Sequence, residues 1–127
     1  MLLYVTLGTN NVPRARAFYD PTLATLGLVP LIQNDTESGY GPPGTEDPIF
    51  YILTPHDRSN PASHGNGTMI ALTAPTRAAV TAFHTAALAN GGSDEGGPGL
   101  RYSPNFFSCY VRDPDGNKLS AVCQTPE

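Results

Sequence analysis

Histidines, cysteines, hydroxyl nucleophiles and grouped carboxylates are the side chains that usually carry chemistry. His56 and His64 stand eight positions apart in "PHDRSNPASHGNG", with Asp57 between them. Imidazole and carboxylate groups can hold a divalent ion when a rigid element sets their spacing. No helical or strand period runs through this Gly- and Pro-rich stretch, so it reads as a solvated linker. His84 falls beside the apolar stripe of a helix, a surface or packing position. No histidine reaches an inward strand position next to a serine or cysteine, so no Ser-His-Asp or Cys-His relay can be assembled. The carboxylates gather in loops and turns, which leaves no obvious general base.

A hydroxyl with a defined setting occurs in "YVRDPDGNKLSAVC", residues 110 to 123. Pro114 sets φ for the first corner of a turn, Asp115 suits the second, and Gly116 can adopt the positive φ that re-enters a strand. Pairing Asp113 with Asn117 places Tyr110 opposite Ser120 and Cys109 opposite Ala121. Strand alternation then divides the hairpin into two faces. Phe107, Cys109, Val111, Leu119, Ala121 and Cys123 form an apolar face that belongs against a core. Phe106, Ser108, Tyr110, Ser120 and Val122 form a mixed face with Ser120 in its middle. The two cysteines are not directly opposed, which suits buried, reduced thiols and a cytoplasmic setting.

The chain has 127 residues, enough for one domain with a sizeable core. Only 14% of residues are charged, the formal net charge is −4, and Lys118 is the single lysine. No basic stripe exists for nucleic acid or an anionic membrane. The opening "MLLYVTLGTN" has neither a basic n-region nor a long apolar run, so no secretion signal or membrane span is expected.

Positioning elements emerge from an internal repeat. An offset of 65 superimposes residues 4–27 on 69–92 without a gap, with six identities, where chance would give about one or two. The identities are Leu7/Leu72, Ala17/Ala82, Phe18/Phe83, Leu23/Leu88, Ala24/Ala89 and Gly27/Gly92. Each copy starts with a strand (2–7; 68–73) and a helix. Asn11 and Thr76 are the expected N-caps. The stripes are Ala15, Phe18, Leu23 and Leu26 in the first helix, and Val80, Phe83, Ala87 and Leu88 in the second. Pro21 should kink the first helix, and Gly91 should close the second in the left-handed conformation. Strands follow at 29–33, around Tyr40 and at 49–54, then at 105–112 and 117–123. "YGPPGTEDP" and "SDEGGPGLRYSP" read as loops, and residues 55–67 as the linker. The unit is βαβββ, twice: module one about 1–54 and module two about 68–127, in a single domain of class α+β.

A doubled βαβββ unit ending in "DPDGN" resembles the vicinal oxygen chelate superfamily, which includes glyoxalase I, bleomycin-resistance proteins and extradiol dioxygenases. The likeness is carried by "YVTLGTNNVPRARAFYDPTLATLGL", "GNGTMIALTAPTRAAVTAFHTAALANGG" and "FFSCYVRDPDGNKLSAV". It implies an open, curled mixed sheet with helices outside and a ligand cup inside, and it implies a homodimer. The mixed face of the hairpin would line the cup.

The family's metal-dependent members place ligands at positions that match Tyr4, Met69 and Ser120 here, with a further position near Tyr51. Phenols, a thioether and a neutral hydroxyl are poor replacements for imidazole and carboxylate. The resemblance therefore implies a cup without a metal or other cofactor and without an assigned catalytic residue. Tyr4, Tyr51, Met69, Phe106, Tyr110 and Ser120 are its ligand-binding candidates, with Thr6 beside them and Arg101 and Tyr102 on the adjoining loop. Aromatic faces and a polarizable Met suit a flat or apolar small molecule. The leading expectation is a metal-independent small-molecule binder. The alternative is a lyase or dioxygenase of the same superfamily with an atypical or absent metal site.

Overall fold

The computed structural model describes residues 1–127. The elements run β1 (Val5–Gly8), α1 (Val12–Ala24), β2 (Val29–Gln33), β3 (Glu37–Gly41) and β4 (Phe50–Leu53), followed by β5 (Met69–Thr73), α2 (Arg77–Ala89), β6 (Ser93–Leu100), β7 (Phe107–Arg112) and β8 (Lys118–Cys123). Two four-stranded mixed sheets result, ordered β1-β4-β3-β2 and β5-β8-β7-β6. In each, the first strand lies parallel to the last while the others pair antiparallel. The fold is α+β, two tandem βαβββ modules, and no closed barrel forms. The repeat is visible in the helices, since both bounds of α1 recur in α2 at the same offset of 65.

Local chemistry accounts for the helix ends. The Asn11 side chain accepts from the Arg14 amide, and Thr76 accepts from the Ala79 amide, each quenching a free N–H of the first turn. Gly91 carries φ +96 beyond α2, where a side chain would be strained. α1 runs through Pro21 to Ala24. Ala15, Phe18 and Leu23 of α1 and Val80, Phe83 and Ala87 of α2 are buried as expected, whereas Leu88 is 40% exposed. Leu88 is one residue past Ala87, about 100° round the helix and off the docked face.

The stretch "SDEGGPGL" is a strand, β6, and not the loop that its Gly and Pro content suggested. It is the edge of its sheet, so only one side of it must hydrogen-bond. Register shifts between Asp94 and Gly96 and between Gly96 and Gly99 take up the irregular residues around Pro98.

α1 packs on β2, β3 and β4, α2 packs on β6, β7 and β8, and the helices pack on each other. One core of 17 buried residues therefore spans both modules, from Leu7, Phe18 and Ile52 to Phe83, Cys109 and Leu119. No strand of one module pairs with a strand of the other.

The turn of the β7–β8 hairpin makes the polar bridge between the modules. Asp113 accepts from the Tyr19 hydroxyl at 2.5 Å, from the Asn117 side-chain amide at 2.8 Å, and from the backbone amides of Asp115 and Asn117 at 2.9 Å each. Asn117 also donates to the Gly8 carbonyl, and Asp115 accepts from Thr9, the Asn10 amide and Arg14. Burial pushes the Asp113 carboxyl above its ordinary value, and these donors offset part of that rise. Burial, then the neighbouring Asp113 charge, holds the Tyr19 phenol well above its ordinary value, so it serves as a donor.

Candidate functional site

Each sheet has one face against a helix and one face free of helices. Phe50 and Ile52 of β4 are buried against α1, so Tyr51 and Leu53 point the other way, with Thr6 and Gly8 beside them in register. In the second sheet Leu119, Ala121 and Cys123 are buried against α2. Ser120 therefore belongs to the opposite face. It lies between Ala71 of β5 and Tyr110 of β7, and its pairing with Tyr110 is the one expected from the turn alone.

Two of the seven candidate positions lie on module one and five on module two. Tyr4 and Tyr51 stack edge-to-face in module one, with ring centroids 5.3 Å apart at 72°. Such a pair is worth about 0.5–1.5 kcal/mol beyond its buried area. Tyr4 remains 52% exposed. Burial, and then the Glu37 charge, raises the Tyr51 phenol above its ordinary value.

The other five, Met69, Arg101, Phe106, Tyr110 and Ser120, belong to module two. The Arg101 guanidinium lies 5.0 Å from the Tyr110 ring centroid and the Lys118 ammonium 5.6 Å from it. Arg101 also donates to the carbonyls of Ser108 at 2.5 Å and Gly97 at 2.7 Å, so it braces the β6–β7 loop against the sheet. Neither cation has a carboxylate partner among the ion pairs of the chain. Phe106 stacks on Tyr102 with centroids 5.2 Å apart, and Tyr102 adopts φ +64, an uncommon conformation for a bulky residue. Interaction with the Tyr110 hydroxyl raises the Tyr102 phenol above its ordinary value. Ser120 is fully buried and its Oγ has no hydrogen-bond partner.

Sequence reasoning passed over Lys118, although its signal was present: 118, 120 and 122 share a face by strand alternation. His84 bonds Asp94 at 2.9 Å, and that hydrogen bond holds the Asp94 carboxyl below its ordinary value. Cys109 and Cys123 are buried and unbridged, and burial pushes the Cys109 thiol up to about 11.

The donor set does not fit a metal of the kind the superfamily's metal-dependent members use. The matching positions carry phenol, thioether and alcohol, and no group of three or more His, Cys, Asp or Glu side chains is disposed to hold an ion. No helix is long and apolar enough to cross a membrane.

Comparison with known proteins places this geometry among relatives. No curated protein matches the chain. A solved glyoxalase/bleomycin resistance protein from Albidiferax ferrireducens T118 is 37% identical, with TM-score 0.84 over 96% of this chain and 97% of that one. At 18% identity, a glyoxalase-related enzyme from Fulvimarina pelagi shares the fold, with TM-score 0.72 over 97% and 87% of the two chains. A genomically encoded fosfomycin resistance protein from Listeria monocytogenes does so at 15% identity, with TM-score 0.68 over 98% and 93%. The sequence model of one superfamily matches residues 2–120, nearly the whole length. The chain belongs to the Glyoxalase/Bleomycin resistance protein/Dioxygenase superfamily.

Proposed function

We propose that this chain is a single-domain, metal-independent small-molecule binder of the superfamily, with its ligand held on the helix-free sheet faces. The observation that carries the reading is Ser120. A buried hydroxyl with no partner costs about 1–3 kcal/mol, and a ligand group that reached it would recover that cost. Tyr110 lies beside it, and Arg101 and Lys118 place two cations against that ring. This setting suits a flat molecule with an acidic or hydrogen-bonding substituent. Met69 and Phe106 supply the apolar rim, and Tyr4 and Tyr51 a second aromatic wall on module one.

A second copy of the chain covers the seam between the modules beside Tyr4. Leu2, Leu3, Tyr4 and Ile49 are exposed, and together with Ile70 and Leu72 they border an apolar groove of about 240 Å³. A homodimer would cover this surface, which a monomer would leave in water. Free, buried thiols suit a reducing, cytoplasmic compartment.

The test uses 8-anilinonaphthalene-1-sulfonate, a flat anionic aromatic, with wild type, Ser120→Val and Tyr110→Ala. Saturable binding by wild type, weakened by both substitutions and unchanged by added Zn²⁺ or a chelator, supports the reading. Stoichiometric metal uptake, or metal-dependent hemithioacetal isomerisation or catechol cleavage, would overturn it.

A further inference from the structure

Residues 55–63 look like a mere connection in the sequence, yet they fold back over the helix-free face of the first sheet. They overhang an open groove of about 470 Å³, floored by Thr6 and Leu53 and roofed by the exposed His56, Asp57 and Asn60, with prolines 55 and 61 at its sides. That volume lies within the range of ligand sites. Long segments without secondary structure are uncommon inside compact domains and are often functional.

The roof is built rather than draped. Asn10 grips Ala62 from both sides: its amide donates to the Ala62 carbonyl at 3.1 Å and its oxygen accepts from the Ala62 N–H at 2.7 Å. Asn10 is itself held by Asp115 of the hairpin turn. Gly8 allows the approach, because a Cβ there would stand 2.9 Å from the Ala62 methyl. Asp57 accepts from the Ser59 amide and hydroxyl and from the Asn60 side chain, so the roof carries its own turn.

We infer that the groove between this roof and the first sheet is a separate binding site for a small polyhydroxylated amine. Hydroxyl, imidazole and amide groups line it and can exchange hydrogen bonds with alcohols. Proline rings offer apolar faces to the C–H surface of such a molecule. No Lys or Arg lines the groove, and Asp57 is its only carboxylate, so an ammonium is favoured and an anion is not. Hydrogen bonds from Ser59 and Asn60 hold Asp57 below the ordinary carboxylate range, which keeps it charged. The groove shares the helix-free face of the first sheet with Tyr51, and it is distinct from the Ser120 region, which belongs to the other sheet.

Three probes of one size, D-glucosamine, D-glucose and D-gluconate, test it by ¹H–¹⁵N chemical-shift titration of the full chain at millimolar concentrations. Saturable shifts with glucosamine are expected at Thr6, Gly8 and residues 55–63, weaker ones with glucose, and none with gluconate. Asp57→Asn should remove the preference for glucosamine over glucose, a change of roughly three- to fivefold for one exposed ion pair. Asn10→Ala should weaken both probes by releasing the roof. Ser120→Val should leave glucosamine binding unchanged, so the two sites can fail separately. Gluconate binding as well as glucosamine, no saturable shift with any probe, or shifts confined to the Ser120 face would each overturn the inference.

Discussion

Tyr19→Phe removes one oxygen atom and keeps the ring that packs against Phe18 and Phe50. The loss is the shortest of four hydrogen bonds to the buried Asp113 carboxylate, at 2.5 Å. A hydrogen bond to a charged group contributes about 1.5–3 kcal/mol, so a cost of about 2 kcal/mol is expected at neutral pH. For a chain of 127 residues that corresponds to roughly 6–10 °C in Tm. The cost should depend on pH in a definite direction. Burial raises the folded-state pKa of Asp113 above its unfolded value of about 3.9. The native state then binds more protons between the two values. Its contribution is fully present below the unfolded pKa and is lost as pH rises through the folded one. Without Tyr19 the anion is worse solvated and the folded pKa climbs further, so the variant's deficit should shrink on acidification toward pH 4. Urea denaturation of both proteins across that range measures the difference, and the other carboxylates cancel in the comparison. In an Asp113→Asn background the Tyr19→Phe deficit should become smaller and flat with pH. A deficit that is constant with pH, or that grows in acid, would refute the account of Asp113 as a buried anion sustained by its donors.

Ser120→Ala removes an unpartnered buried hydroxyl, so the ligand-free protein should be unchanged or up to about 1 kcal/mol more stable by chemical denaturation. Phe83→Ala, at a fully buried position of α2, should cost about 3–5 kcal/mol in the same assay. Cys109, buried and pushed up to about 11, should resist iodoacetamide at pH 8 until denaturant is added; alkylation at the free-thiol rate in the native protein would contradict its burial.

The periodic and local features were legible in the chain. The repeat, both N-caps, the βαβββ order and the Tyr110–Ser120 register follow from apolar spacing, capping side chains and one turn, all of which act between near neighbours in sequence. β6 was not legible, because an edge strand needs pairing on one side only and so tolerates glycine and proline that would disqualify a central strand. Leu88 shows the same limit: a stripe read from the sequence says which side of a helix is apolar, but docking decides where that side ends. For the candidate site, alternation predicted which side chains share a face. How the two faces lie relative to each other was set by α1 packing on α2 and by Asp113 and Asp115 reaching Tyr19, Thr9 and Arg14, contacts between residues about a hundred positions apart. The role of residues 55–63 as a roof was likewise a tertiary decision. It depends on Asn10 and Gly8 meeting Ala62, and neither turn propensity nor periodicity encodes that encounter.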